Sequence, residues 1–253
     1  MLLKINNIKN WQAALIITAI GFLVYSTGLT NPFQGDDIFQ IVNNVPVHSI
    51  THIKLFFEGG TFYNSQGLAP LSGSYFRPLM TTSFSLIYTL FGPHPFYFHL
   101  FQLLLCLGSS LILYLFLKFS FKPAAALLLS LVFLVHPFNS QVVLSIPYLE
   151  DALFFFFGML ALYLLIRFKS VKSLWAVVIC LILSLLAKET GIVFIIMSIL
   201  YLVWWNRQRL YAFLGFMALP FAAYLALRIN AVGLNNNPLN APIDRLSLWG
   251  RIL

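Results

Sequence analysis

Pro78-Leu79-Met80-Thr81-Thr82-Ser83-Phe84-Ser85-Leu86-Ile87-Tyr88-Thr89-Leu90-Phe91-Gly92 is the stretch on which the fold turns. It is apolar enough to read as a short membrane span. Yet Met80, Phe84, Ile87 and Phe91 share one helical face, while Thr81, Thr82, Ser85 and Thr89 occupy others. That is the pattern of an amphipathic helix lying at an interface. The choice fixes the side of the membrane on which every later segment falls.

If 78–92 is interfacial, the apolar spans are 11–29, 97–117, 119–135, 149–168, 174–187, 192–205 and 210–229. With the N-terminus in the cytoplasm, Lys4, Lys9, Lys118, Lys122, Arg167, Lys169, Lys172, Arg207 and Arg209 all fall inside, 9 of the 15 basic residues. All seven acidic residues and all five histidines then fall outside. Making 78–92 a span would put Lys118 and Lys122 outside, against the positive-inside rule. The expectation is an all-α polytopic membrane protein of about seven transmembrane helices, with a long first outer loop carrying interfacial helices. Residues 1–229 form the membrane module, with an outer catalytic loop at 30–96. The tail 230–253 is an outer loop that turns amphipathic at 246–253, like the start of a further helix in a longer chain.

Composition agrees with this class. The chain is 60% hydrophobic and 9% charged, with a mean hydropathy of +0.88, which excludes a soluble globular domain. The net charge of +8 sits in short clusters beside apolar spans, so it reads as membrane orientation and not as nucleic-acid binding. Cys106 and Cys180 fall inside apolar segments and imply no disulfide framework.

Chemistry is expected outside, beginning at Gly35-Asp36-Asp37. Adjacent carboxylates just beyond a membrane helix repel each other, and they suit acid–base work in a water-filled cleft. The ordinary alternative is that they cap a short helix at 38–43. Arg77-Pro78 opens the interfacial helix, where free amides and a guanidinium make an anion site. His136-Pro137 ends the third span and Glu150-Asp151 opens the fourth, placing a histidine and two acids at one hairpin mouth. Lys188-Glu189 joins two helices of about fourteen residues, roughly 21 Å each against a hydrocarbon core of roughly 30 Å. Either the bilayer is thinned there or the turn is recessed, and recessed ionisable residues line cavities. His48 and His52 stand four apart but lack a third ligand, so no metal site and no cofactor are expected.

Asn31-Pro32-Phe33-Gln34-Gly35-Asp36-Asp37, Tyr75-Phe76-Arg77-Pro78-Leu79, the run from Phe91-Gly92-Pro93-His94 to His99-Leu100, His136-Pro137 and Lys188-Glu189-Thr190-Gly191 follow one another in an order that resembles a known family. It is that of the membrane half of the transmembrane-and-TPR-repeat O-mannosyltransferases. More distantly the chain is similar to the protein O-mannosyltransferases and the lipid A aminoarabinose transferases, all of glycosyltransferase superfamily C. The resemblance implies an inverting glycosyltransferase. It would move a mannose-like sugar from a polyprenyl-phosphate carrier to a protein or glycan acceptor on the outer (periplasmic, extracellular or lumenal) face. It places the catalytic acids on Asp36 and Asp37, with Asp36 as the base. Substrate-binding groups are expected at Arg77, His136, Glu150, Asp151, Lys188 and Glu189. The chain departs from the family in lacking its remaining spans and any TPR domain. Two other classes stay open: a transporter or flippase of lipid-linked sugars, and a non-catalytic lipid-sugar-binding subunit.

Overall fold

The computed structural model describes residues 8–62, 68 and 71–233. The expected helix start at 246–253 lies outside the described residues. Ten α-helices follow in order: α1 Asn10–Tyr25, α2 Ile53–Glu58, α3 Pro78–Phe91, α4 Pro95–Leu117, α5 Pro123–Val135, α6 Pro137–Leu144, α7 Leu149–Arg167, α8 Leu174–Ala187, α9 Ile192–Trp205 and α10 Arg207–Val232. Among the described residues there are no strands beyond one isolated bridge, Phe62 with Ser72. Four helices (α3, α4, α5 and α6) begin with proline, whose fixed φ and missing N–H suit the first helical position.

Four segments are long and apolar enough to cross a membrane: Asn10–Thr30, Pro95–Leu117, Ile146–Arg167 and Arg207–Val232. A fifth arises if α5 and α6, bent by 58° at their junction, form one span. The chain is therefore an integral, multi-pass membrane protein. Helices α8 and α9 have 14 residues each, the length read from the sequence and too short to cross an unthinned bilayer upright.

The bend has a local cause. Pro137 cannot donate a backbone hydrogen bond, so carbonyls near the end of α5 lose their helical partners. Side chains replace them: Asn139 Nδ2 donates to the Phe133 carbonyl at 2.5 Å, and the Tyr25 hydroxyl donates to the Leu134 carbonyl at 2.7 Å. In hydrocarbon such repairs are what make broken helices tolerable. From α4, Gln102 donates to the carbonyls of Val142 and Ser145, fixing the C-terminal end of α6.

Helix α7 is the central post, packed on α4, α8 and α9. Gly158 of α7 makes room for α9, because a Cβ there would sit 2.1 Å from the Phe194 ring. At its far end the buried Arg209 of α10 donates to the carbonyls of Leu165 and Phe168, at 3.3 and 3.0 Å, and so caps α7.

Helix α3 forms where expected and ends at Gly92, whose φ of +71° favours glycine. Met80, Phe84 and Ile87 are buried as the pattern required, whereas Phe91 is exposed and stacks on Tyr97 at 4.2 Å. The polar face needs correcting: Thr81 and Ser85 are fully buried too. The reason is that α3 is covered by α8 as well as by the 45–58 segment. Its hydroxyls stay tolerable partly by back-bonding, Thr81 to the Arg77 carbonyl at 3.4 Å and Ser83 to that of Leu79 at 2.8 Å.

Candidate active site

The acidic turn is built from its backbone outward. Gly35 has a φ of +55°, and the chain reverses through it. The Asp37 N–H donates to the Gln34 carbonyl at 3.2 Å, while the Gln34 N–H donates to Asp37 Oδ2 at 2.9 Å. This reciprocal pair resembles a capping box. It gives the two acids different fates. Asp37 is 2% exposed, with Oδ1 unpartnered, and burial pushes its carboxyl up to about 6 against the lowering effect of the Gln34 N–H. Asp36 is exposed and lines a cavity of about 500 Å³.

That cavity gathers three parts of the chain. Gln34, Asp36 and Gln40 come from the first loop, Tyr75 and Arg77 from the approach to α3, and Gln141, Ser145, Tyr148 and Glu150 from the α6–α7 connection. Arg77 Nη1 donates to Glu150 Oε1 at 2.8 Å, and its Nε lies 3.7 Å from Glu189 Oε2. The guanidinium also lies over the Tyr75 ring, 4.3 Å from its centroid. Glu189 in turn accepts from the Phe76 N–H at 3.2 Å. Beside this group, Lys188 Nζ donates to Asp151 Oδ1 at 2.5 Å. Asp151 also lines a second, mainly apolar cavity of about 150 Å³ walled by Phe133, Phe138, Phe154 and Phe155.

Of the eight residues singled out from the sequence, five thus take part in ion pairs: Arg77 with Glu150 and Glu189, and next to them in the chain Lys188 with Asp151. Asp36 shares the cavity with Arg77 and Glu150, whereas Asp37 is buried in the turn and is not among the cavity-lining residues. His136 is not brought to the network. It is exposed, and its Nδ1 accepts from the Phe138 N–H at 3.2 Å as the N-cap of α6. His48 and His52 are likewise engaged with backbone, His48 Nε2 with the Ile41 carbonyl at 3.0 Å and His52 Nδ1 with that of Pro46 at 3.1 Å.

Sequence reasoning missed Gln40, Gln141 and Tyr148. Gln40 is 5% exposed, and its Oε1 is buried without a hydrogen-bond partner at the cavity wall. The available signal was its position four residues after Asp36, one turn along the same short helical segment. Gln141 Nε2 donates to the Tyr148 hydroxyl at 2.9 Å, closing the opposite rim.

Chemically, the arrangement offers one solvent-facing carboxylate and a fixed guanidinium on a space large enough for a sugar, with the fixed ammonium of Lys188 paired to Asp151 behind the cavity-lining residues. An arginine has five N–H donors and a lysine three. Each spends only one hydrogen bond on its carboxylate, so both keep donors for an anion.

Comparisons with known proteins place the chain in a family. The pattern of the family described as dolichyl-phosphate-mannose-protein mannosyltransferase matches residues 77–231, starting at Arg77 and leaving the acidic turn outside. Protein O-mannosyl-transferase TMTC1 of Mus musculus is 34% identical over 144 residues, 56% of this chain and 15% of that protein. Its Homo sapiens counterpart is 31% identical over 143 residues, 56% of this chain and 16% of its own length. Protein O-mannosyl-transferase TMTC4 of Homo sapiens is 28% identical over 166 residues, 58% and 22% respectively. The chain thus spans less than a quarter of the length of these relatives. No solved structure matches it. With more than half its length inside the family pattern, the chain belongs to the dolichyl-phosphate-mannose-protein mannosyltransferase family.

Proposed function

We propose that this chain carries a sugar-transfer site that takes a mannose-like sugar from a polyprenyl-phosphate donor and passes it, with inversion, to a hydroxyl of a protein or glycan acceptor. The observation that carries the reading is the single cavity lined by Asp36, Arg77 and Glu150. In the reaction the acceptor oxygen attacks the anomeric carbon and the bond from that carbon to the phosphate oxygen breaks. The electron pair leaves on the phosphate, and the acceptor proton passes to the Asp36 carboxylate. The phosphate gains negative charge as it departs. Arg77 and Lys188, already held in place by Glu150, Glu189 and Asp151, stabilise that charge with their remaining donors. The apolar cavity beside Asp151 receives the first units of the lipid tail. Asp37 acts by holding the turn, Gln40 by accepting a hydrogen bond from a substrate hydroxyl, and His136 by capping the start of α6.

The same reading places the N-terminus in the cytoplasm, seven spans in the membrane (α1, α4, the bent α5–α6 pair, α7, α8, α9 and α10) and the site on the outer face. Trp204, Trp205 and Tyr211, all exposed beside Arg207, suit an interfacial aromatic belt at the cytoplasmic side. The α8–α9 turn is then recessed from the outer surface, where the network of Lys188 and Glu189 compensates its charges.

Transfer from a synthetic polyprenyl-phosphate mannose to an acceptor peptide by the chain in liposomes tests the proposal. Asp36→Asn keeps the shape but cannot accept the proton. It should lower turnover by roughly 10²–10⁴-fold while the donor still binds. Asp37→Asn should cost far less. Equal, small losses in both variants of an active preparation would refute Asp36 as the base.

A further inference from the structure

A different cavity lies at the opposite ends of α1, α4 and α7. It has a volume of about 220 Å³ and is lined by Asn10, Leu115, Lys118, Phe119, Tyr163 and Arg167. Glu150 and Arg167 stand at the two ends of α7, roughly 25 Å apart at 1.5 Å per residue. This cavity is therefore separated from the acidic site by most of a hydrocarbon layer.

Its electrostatics are one-sided. No carboxylate lines it, and neither Lys118 nor Arg167 has an ion-pair partner among the described residues. Lys118 Nζ is fixed by donating to Asn10 Oδ1 at 2.6 Å and lies 5.4 Å from the Tyr114 ring centroid. Arg167 lies 5.7 Å from that of Phe168. Cations at helix C-termini are ordinary, since they offset the helix dipole. Here, however, two of them converge from different helices on one concave space that also includes the first residue of α1, where backbone amides favour an anion. The rest of the wall is apolar, with Leu115 beside Phe119, whose ring stacks on Tyr163 at 5.9 Å.

We propose that this cavity binds the phosphate of an anionic phospholipid, with Lys118 and Arg167 on the phosphate, Asn10 and the Tyr163 hydroxyl on the headgroup, and an acyl chain along Leu115 and Phe119. The apolar wall favours a lipid over free phosphate, because an inorganic ion would leave it uncovered. The proposal does not depend on the sugar-transfer reading, and its test uses no turnover.

The experiment titrates the purified chain in neutral detergent with dioctanoyl-phosphatidylglycerol, with dioctanoyl-phosphatidylcholine and with sodium phosphate, reading thermal stabilisation. Phosphatidylglycerol should bind at least about tenfold more tightly than phosphatidylcholine. Arg167→Gln removes an exposed side chain that makes no hydrogen bond among the described residues and so leaves folding intact. It should reduce that preference about fivefold, the equivalent of ~1 kcal/mol per basic residue. Lys118→Gln should do the same, and the double variant should abolish it. Lys172→Gln, an exposed basic residue outside the cavity lining, should change nothing. Equal affinity for the two lipids, or a preference that survives in the double variant, would overturn the proposal. So would sodium phosphate protecting as well as phosphatidylglycerol at equal concentration, which would assign the site to a free anion.

Discussion

Replacing Arg77 by methionine should destabilise the fold by more than any change at the second ion pair. The Arg77 and Glu150 side chains are 14% and 7% exposed and meet at 2.8 Å, whereas Lys188 and Asp151 are 22% and 23% exposed. Removing one partner of a buried pair leaves the other charge uncompensated and costs about 3–5 kcal/mol. Arg77→Met strands Glu150 in this way and also strips Glu189 of its cation. For a chain of this size that corresponds to a fall in unfolding midpoint of roughly 6–20 °C. Lys188→Met strands a more hydrated carboxylate and should cost less. Cys106 and Cys180 are both free and buried, so a thiol-reactive fluorogenic maleimide reports unfolding on heating without any added label. The decisive comparison is the double variant Arg77→Met/Glu150→Leu, in which no buried charge is left from the pair. It should recover most of the loss, because an apolar pair of similar volume is about as good as a buried ion pair. A fall of less than about 2 °C in Arg77→Met, or a double variant that loses as much as the two single variants summed, would show that the guanidinium is hydrated in solution and that the network does not hold the site together.

Three other outcomes are expected. The native-state carboxyl of Asp37 is raised to about 6 from 3.8, so the fold favours its protonated form. Its stabilising contribution is full below about pH 4, is lost as pH rises through about 6, and amounts to about 3 kcal/mol. The unfolding midpoint of Asp37→Asn should lack this component between pH 4 and 7, and an identical pH profile in wild type and variant would remove it. For topology, Pro93→Cys in intact vesicles of known orientation should react with an impermeant maleimide from the outer side and Phe121→Cys should not. The reverse pattern would make α3 a span. At the cavity wall, Gln40→Leu should raise KM for the donor or acceptor by roughly 5–10-fold, about one hydrogen bond, and leave kcat little changed. Unaltered KM for both substrates would take Gln40 out of recognition.

Local features were legible in the sequence and distant pairings were not. The fourteen-residue lengths of α8 and α9 could be counted directly, and they drew attention to the Lys188-Glu189 turn between them. Pro78 announced a helix start, whereas the apolar runs set the next two starts at 97 and 119 and not at Pro95 and Pro123, and Pro137 was read as ending a helix and not as beginning one. Which carboxylate Arg77 would choose could not be read, since Glu150 lies 73 residues away in the chain and the choice is made by the packing of α3 on α7 and α8. Thr81 and Ser85 misled because hydroxyls on a helix suggest a wet face. Here they are covered by α8 and by the loop, which no helical period records. His136 looked like a site residue because it stood beside a proline at a hairpin mouth. The proline imposed a bend, and the imidazole serves the start of the next helix.

The Arg77 network also sets a schedule for biosynthesis. Glu189, which accepts the Phe76 N–H and flanks Arg77, follows Phe76 by 113 residues. At about 5–20 residues per second it leaves the ribosome roughly 6–23 s later. The first loop must therefore wait as a nascent segment, with its guanidinium short of a partner, until α8 and the turn after it have been inserted. A ribosome stalled anywhere before residue 189 would expose an incomplete site, the state in which quality-control machinery would meet this loop.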